Sequence, residues 1–208
     1  QDKFHNYFFP FTEGFRYADA NDLDSLESVA GHDVCAVMME LVQGEGGVFP
    51  ATQEFIEGIR AFCDEKGILF LLDEVQAGWG RCGDFMCYMT YGVKPDIVSM
   101  AKAMGGDMPI GGIACNDKAA SAFGPGTHGS TYAGHPVAVA ASLAVLRELK
   151  AGNWAQNAKE MGDNFTTTLY AIADDGTVYY GEPVVSSIKD FLIGKLNDSA
   201  SIPEMKTM

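Results

Sequence analysis

Apolar residues in this chain fall into short continuous runs that are separated by stretches with helical spacing. The run at residues 68–72 is typical of a strand buried on both faces of a parallel sheet. Residues 34–38 predict a buried strand, and residues 97–100 predict a further strand. A further short strand is expected at residues 110–115. Because helical stretches separate the first runs, the pattern of strand, helix, strand predicts an α/β fold with right-handed crossovers and a mostly parallel sheet.

Two helices are predicted in the first part of the chain. Residues 22–30 predict a short helix capped by Asn21. Thr52 is placed to cap a longer helix that ends before Gly67. The apolar stripe of this longer helix should lie on the sheet, and it consists of Phe55, Ile56, Ile59, Phe62 and Cys63.

The second part of the chain predicts two more helices. Residues 136–150 form a strong helix pattern with Pro136 in its first turn, and a last helix is expected over about residues 154–173. Residues 1–20 should be irregular, and the weakly periodic residues 186–208 should be frayed. One face of the helix at 136–150 carries Val139, Leu143, Leu146 and Leu149.

Composition narrows the possible functions. The 208 residues include 14 basic and 28 acidic residues, and the net charge of −14 argues against binding to nucleic acid or to an anionic membrane surface. No apolar run approaches the ~20 residues of a membrane span. The five cysteines lack a disulfide framework, which fits a reducing cytoplasm. Because the chain opens on Gln1 without a start signal, we expect a piece of a longer protein.

Reactive side chains follow two of the predicted strands. Asp73 and Glu74 come directly after the second apolar run, and Lys102 follows the third run just before two glycines. Ligands of open α/β sheets bind at the carboxyl ends of the strands, so we expect an acid and an amine to meet at this edge. An amine there can link covalently to an aldehyde cofactor. Taken singly, a surface lysine and a strand-end carboxylate remain the alternatives.

Four motifs in a fixed order carry a family resemblance. Residues 40–47 read ELVQGEGG, residues 73–78 read DEVQAG, Lys102 follows SMA, and residues 128–136 read HGSTYAGHP. In this order the chain resembles the class III pyridoxal-phosphate aminotransferases, and within them the acetylornithine and ornithine aminotransferases. The resemblance covers about residues 1–150 and fades beyond them.

The resemblance implies a fold, a cofactor and a reaction. The fold is the three-layer α/β/α large domain of fold-type-I transferases, with residues 1–150 as its cofactor-binding part. Residues 151–208 are then a linking helix and a remnant of the small C-terminal domain. The cofactor is pyridoxal 5'-phosphate, held in a cytoplasmic homodimer. The reaction is amino transfer from acetylornithine, ornithine or a related ω-amine to 2-oxoglutarate, as in arginine biosynthesis.

The same resemblance assigns roles to residues near the two strand ends. Lys102 would hold the cofactor and carry a proton, and Asp73 would accept a charge-assisted hydrogen bond from the ring nitrogen. Val75 would pack on the ring, although plain core packing remains open for it, and Gln76 would bond the phenolic oxygen. Glu74 is expected to be structural because it alternates away from Asp73.

Two loops complete the implied site. Ser130 and Thr131 match the pair that reaches the phosphate of the neighbouring subunit's cofactor, with a simple turn before a helix as the alternative. Glu45 matches an acid that pairs with a substrate-gripping arginine, but that arginine has no clear match here, so an ordinary loop acid remains open. His135 stands where the family usually has asparagine, and we expect it to cap a helix or pack in the core.

Two other patterns are rejected, and two other functions stay open. Residues 78–83 fit GxGxxG, but they lie too far after the strand and no helix opens there. Cys82, Cys87 and His128 lack the spacing of metal ligands, so no metal is expected. The chain is alternatively catalytically incomplete or partner-dependent, because the family's upstream phosphate loop and ring-stacking aromatic do not occur in it. A racemase, decarboxylase or aminomutase of the same family would share every motif.

Overall fold

The computed structural model describes residues 5–168, 171–172 and 178–179, with side chains from residue 5 through residue 163. By compactness the chain divides into two units, Gln1–Ala158 and Lys159–Met208. The first unit contains the main sheet and every candidate site residue. Its helices are α1 (Leu23–Val29), α2 (Gln53–Lys66), α3 (Cys87–Tyr91), α4 (Asp117–Ala120) and α5 (Pro136–Ala151), and α6 spans Trp154–Thr168. The strands are β1 (Ala36–Met39), β2 (Val42–Gln43), β3 (Phe49–Pro50), β4 (Leu69–Asp73), β5 (Ile97–Met100), β6 (Gly112–Cys115), β7 (Ala171–Ile172) and β8 (Val178–Tyr179).

A four-stranded sheet in the order β1-β4-β5-β6 forms the centre of the first unit. Strands β1, β4 and β5 are parallel to one another, and β6 runs antiparallel to β5. The prediction of an α/β fold with a mostly parallel sheet is therefore confirmed. Asp73 at the end of β4 pairs directly with Ser99 on β5, so the carboxyl ends of these two strands are neighbours.

The described helices leave parts of one face of this sheet exposed. Phe70 and Leu72 are buried in one cluster with the apolar stripe of α2. Met38 and Ile113 share the opposite face with Asp73 and are 59% and 52% exposed. The expected burial of the first strand is therefore wrong at Met38, whereas in β4 Phe70 and Leu72 are buried and Leu71 is half-buried. Successive side chains point to opposite faces of a strand, and α2 covers only one of them.

The helix ends show one confirmed cap and one correction. The Thr52 side chain accepts a hydrogen bond from the Phe55 N–H at 3.3 Å, and α2 ends at Gly67 with φ of 69°, as predicted. The cap of α1 is Asp22, whose Oδ1 accepts from the Ser25 N–H at 2.9 Å, and not Asn21. Asn21 instead accepts a hydrogen bond from the Thr52 N–H at 2.8 Å, because its own backbone turns away at φ of 62°.

The later helices form where the sequence predicts them, with different surroundings. Helix α5 begins at Pro136, but Val139, Leu143 and Leu146 on its apolar face are exposed, and only Leu149 of that stripe packs in a buried cluster. Helix α6 ends five residues before the predicted end at 173. Residues 6–20 are irregular, as expected, and residues 186–208 lie outside the described part. Within the described residues, no helix is both long and apolar enough to span a membrane.

Asp96 forms a hydrogen-bond network at the opposite edge of the sheet, just before β5 begins. Its buried carboxylate accepts hydrogen bonds from the Phe70 N–H at 2.8 Å, from Asn116 Nδ2 at 2.7 Å and from an Arg60 guanidinium nitrogen at 3.1 Å. Burial raises the pKa of this carboxyl, but the three donors outweigh burial, so its pKa lies below the usual range. The network ties α2 to the amino ends of the strands, away from the edge that carries Asp73.

Candidate active site

Asp73 is the last residue of β4 and lies half-buried at the carboxyl edge of the sheet. Its Oδ1 accepts a hydrogen bond from the Val75 N–H at 2.9 Å. The adjacent Glu74 N–H donates to the Ser99 carbonyl oxygen at 3.0 Å. Backbone bonds on both sides therefore fix the position of Asp73. No hydrogen bond to its Oδ2 occurs within the described residues, so this oxygen is available to a ligand.

Glu74 turns in the opposite direction and is fully buried. Its two carboxylate oxygens accept hydrogen bonds from the Cys87 and Tyr88 N–H groups, each at 2.6 Å. Burial raises the pKa of the Glu74 carboxyl, and these two N–H groups oppose that rise. Since Met86 at the start of α3 provides no side-chain cap, Glu74 supplies the acceptors for this helix end. These contacts support the expected structural role.

The glycine-flanked loop with Glu45 lies against the segment that follows Asp73. A Cβ added to Gly44 would overlap the side-chain amide of Gln76, so a larger residue there would displace the Gln76 side chain. The Gly44 N–H donates to Glu40 Oε2 at 3.0 Å, which holds the loop in place. Glu45 itself is exposed. The structure thus brings the first two motifs together, and Glu40 has a structural contact within this loop.

Lys102 opens a 3-10 turn, Lys102–Gly105, directly after β5. Its φ of 46° is in the left-handed region, where a residue with a Cβ is strained. The glycines that follow allow tight packing. A Cβ on Gly105 would lie 2.8 Å from Ile110 Cγ2, and one on Gly106 would lie 2.8 Å from Val145 Cγ2.

The Lys102 side chain is exposed, and its amine has no hydrogen bond or ion pair within the part of the chain that the structure describes. Lys102 follows Ser99 by three residues, and Ser99 is the strand partner of Asp73. The amine and the carboxylate therefore belong to the same edge of the sheet, as the sequence predicts. Backbone strain of this kind persists where the surrounding structure imposes it.

The remaining site candidates lie around this edge without bonding to it. Val75 is half-buried and Gln76 is exposed beside Gly44. Ser130 and Thr131 are exposed in the loop before α5, and no hydrogen bond joins their side chains to Asp73 or Lys102 in the described ranges.

His135 occupies the N-cap position of α5, but its ring makes no capping hydrogen bond and is exposed. The expectation that it caps a helix or packs in the core is therefore wrong. Pro136 occupies the first helical position and has no backbone N–H, so this end of the helix has one fewer unpaired N–H group.

The two rejected patterns form other structures. Residues 78–83 are turns, and the next helix begins only at Cys87, so the dinucleotide-binding geometry does not occur there. A hydrogen bond between the free thiols of Cys82 and Cys87 lowers the pKa of Cys82 and, together with burial, raises that of Cys87. His128 lies at the side chains of Thr127 and Phe123 instead. No cluster of metal-binding side chains is found among the described residues.

Sequence reasoning missed Ser99. Its Oγ is buried and has no hydrogen-bond partner among the described residues, although it stands beside Asp73 on the neighbouring strand. The signal was present, because Ser99 is the polar residue in the apolar run at 97–100. The approach of Gly44 to Gln76 was also not predicted, since it joins segments that are distant in sequence.

Comparisons with known proteins bear on the family of this chain. The family model described as "Aminotransferase class-III" matches residues 2–181. A protein of Caldanaerobacter subterraneus subsp. tengcongensis called acetylornithine aminotransferase is 45% identical over 170 residues, which cover 81% of this chain and 43% of the relative. A Pseudomonas aeruginosa protein called succinylornithine transaminase/acetylornithine aminotransferase is 36% identical over 213 residues, which cover 100% of this chain and 52% of the relative.

Solved structures give the same result. The ornithine aminotransferase of Toxoplasma gondii aligns with a TM-score of 0.76 and 33% identity, over 80% of this chain and 40% of that one. The acetylornithine aminotransferase of Elizabethkingia anophelis aligns with a TM-score of 0.71 and 32% identity, over 75% of this chain and 40% of that one. The chain thus spans about half the length of the curated relatives it matches, 43% and 52% in the two described above. The resemblance seen in the sequence is confirmed, and the chain belongs to the class III aminotransferases, a family of pyridoxal-phosphate-dependent enzymes with the fold-type-I α/β architecture.

Proposed function

We propose that this chain carries the cofactor-binding part of an aminotransferase that moves an amino group from an ornithine-type amine to a 2-oxo acid. The observation that carries the proposal is the shared sheet edge of Asp73 and Lys102, with an unbonded carboxylate oxygen on one strand and an unpaired amine on a strained turn after the next. The names of the relatives favour acetylornithine, succinylornithine or ornithine as the amino donor. We take 2-oxoglutarate as the acceptor to test first.

The residues present fit pyridoxal 5'-phosphate. Lys102 offers an amine to its aldehyde, Asp73 offers a carboxylate oxygen to its ring nitrogen, and the buried Ser99 hydroxyl next to Asp73 lacks a partner among the described residues. The close approach of Gly44 to Gln76 places a further amide beside the same segment. When bound, the cofactor supplies an electron sink that stabilises negative charge on the substrate α-carbon.

Each site residue then has a defined task. Lys102 holds the cofactor and carries a proton to and from the substrate carbon at its Nζ. Asp73 keeps the ring nitrogen protonated, since a nearby negative charge favours the charged form. Val75 packs on the ring and Gln76 donates to its phenolic oxygen. Glu45, in the loop held against Gln76, contributes to substrate selection.

The exposed pair Ser130 and Thr131 would bind the phosphate of a neighbouring subunit's cofactor through hydroxyl groups and backbone N–H groups. This role requires a homodimer, and we place the enzyme in the cytoplasm because its cysteines show no disulfide framework.

Reductive trapping tests the proposal. The full-length protein is incubated with pyridoxal phosphate, reduced with borohydride and mapped by peptide mass spectrometry, and the adduct should lie on Lys102. Lys102→Ala should abolish the adduct, whereas Lys94→Ala, which removes an exposed lysine before β5, should leave it intact. An adduct on Lys94 or Lys118 in place of Lys102 would reject the assignment.

Turnover with candidate donors then defines the substrate. Acetylornithine, succinylornithine and ornithine are each offered with 2-oxoglutarate, and glutamate formation is measured. Loss of glutamate formation in Lys102→Ala, together with retention in Lys94→Ala, would establish the aminotransferase reaction. Racemisation or decarboxylation of the same amines without glutamate formation would favour the related activities instead.

A further inference from the structure

The Ser99 hydroxyl is a buried polar group that needs a partner at the proposed site. Its Oγ is shielded from solvent and has no hydrogen bond within the described residues. Ser99 lies on β5 within an otherwise apolar strand. A buried hydroxyl without a partner is unfavourable, so a serine at this place indicates a specific interaction.

Strand pairing identifies the side chain next to Ser99. Asp73 is its direct pair on the parallel strand β4, so the two side chains leave the same face of the sheet about 5 Å apart at their backbones. On the other side Ser99 pairs with Ile113, which offers no polar side-chain atom. The Asp73 carboxylate is therefore the acceptor nearest to the Ser99 hydroxyl along the sheet.

The hydrogen bonds of Asp73 leave a vacant position for this donor. Oδ1 accepts from the Val75 N–H at 2.9 Å, while Oδ2 accepts no hydrogen bond in the described part of the chain. A carboxylate held by one hydrogen bond can still rotate through a limited angle about its Cβ–Cγ bond. A second donor from the neighbouring strand would stop this rotation.

We infer that Ser99 is a positioning residue for Asp73: when the cofactor binds, the Ser99 hydroxyl turns to donate a hydrogen bond to Asp73 and fixes the carboxylate toward the cofactor's ring nitrogen. The inference rests on the proposed function, because it concerns the same cofactor. Hydrogen bonds weaken steeply when their angle departs from linearity, so a carboxylate free to rotate holds the ring proton less well. Ser99 thus controls the protonation of the ring without touching the reacting atoms.

The test uses the full-length protein loaded with pyridoxal phosphate labelled with ¹⁵N in its ring. The ¹⁵N chemical shift reports whether the ring nitrogen is protonated, and titration of the cofactor-free protein gives Kd. In Ser99→Ala the shift should move toward the unprotonated value at neutral pH, and Kd should rise about three- to tenfold, the effect of one lost hydrogen bond. Ser99→Thr keeps the hydroxyl and should restore both values, and Ser99→Cys, a weaker donor, should give an intermediate result.

Controls separate this inference from the proposed function. Ser142→Ala removes another buried serine hydroxyl, on α5, and should change neither the shift nor Kd. An unchanged ¹⁵N shift in Ser99→Ala, with or without a change in Kd, would overturn the positioning role while leaving the proposed function intact. Failure of the unmodified protein to attach the cofactor at Lys102 would overturn both.

Discussion

Replacement of Gly106 tests whether the glycines after Lys102 hold this residue in its strained turn. Gly106 has φ of 51°, and a Cβ there would lie 2.8 Å from Val145 Cγ2 on α5. The left-handed backbone costs about 1–2 kcal/mol for a residue with a Cβ. Carbon atoms prefer separations of about 3.5–4.0 Å, so the new methyl must also displace the turn or the helix, which costs about 1–3 kcal/mol more.

Gly92 provides the matched control because it shares the backbone but not the contact. Its φ is 65°, and a Cβ there would meet no atom within 4 Å. Gly92→Ala should therefore lower the free energy of unfolding by about 1–2 kcal/mol. Gly106→Ala should lower it by about 2–5 kcal/mol, since the steric cost is added to the same backbone cost.

The functional consequence is read at Lys102. Urea unfolding gives the stabilities, and the yield of the reduced cofactor adduct on Lys102 gives the attachment. Gly106→Ala should reduce the yield, and Gly92→Ala should not. In the double variant Gly106→Ala, Val145→Ala, part of the loss should be recovered, because the Cγ2 atom that obstructs the methyl is gone. Equal losses of stability and equal adduct yields in the two glycine variants would refute the reasoning.

Three further predictions concern the site and the frame that supports it. Asp73→Asn keeps an oxygen for the Val75 N–H, so the melting temperature should stay nearly unchanged. The value of kcat should fall by orders of magnitude, and each tenfold loss corresponds to about 1.4 kcal/mol of activation barrier. Near-normal turnover would show that Asp73 only ends a strand. Asp96 has a lowered folded pKa, so its stabilisation is present above the unfolded pKa and is lost as pH falls through the folded one. Asp96→Asn should therefore cost about 1.5–3 kcal/mol of unfolding free energy at pH 7, and the gap should narrow in urea titrations at acid pH; a gap independent of pH would contradict this. The 208-residue chain made alone should sediment as a dimer or a larger species, because Met38 and Ile113 are 59% and 52% exposed on one sheet face. Replacing both residues with lysine should shift the sedimentation toward monomer. A chain that is already monomeric without these substitutions would contradict the prediction.

The local structure of the site was predictable because it depends on short segments. The apolar run before Asp73 and the one before Lys102 form β4 and β5, and both residues lie at the expected ends of these strands. Thr52 caps α2 because a hydroxyl at that position meets the first free N–H groups of the helix. The four ordered motifs were sufficient for the family, which the comparisons confirm.

Other features depended on contacts between distant segments. Asn21 does not cap α1, because its side chain is engaged by the Thr52 N–H 31 residues away. The exposure of Met38 follows from which face α2 covers, and a continuous apolar run carries no information about that. The same run pattern is compatible with one covered face or with two.

The sequence by itself determined which chemical groups stand at the carboxyl edge of the sheet, because strand ends, helix caps and glycine positions are set by neighbouring residues. Only the tertiary structure decided that Ser99 pairs with Asp73, that Gly44 lies on Gln76, and that Lys102 adopts a left-handed backbone. Strand register and close contacts between segments depend on the packing of the whole unit, to which many residues distant in sequence contribute. The sequence therefore predicted the acid and the amine, and the fold supplied the geometry that holds them.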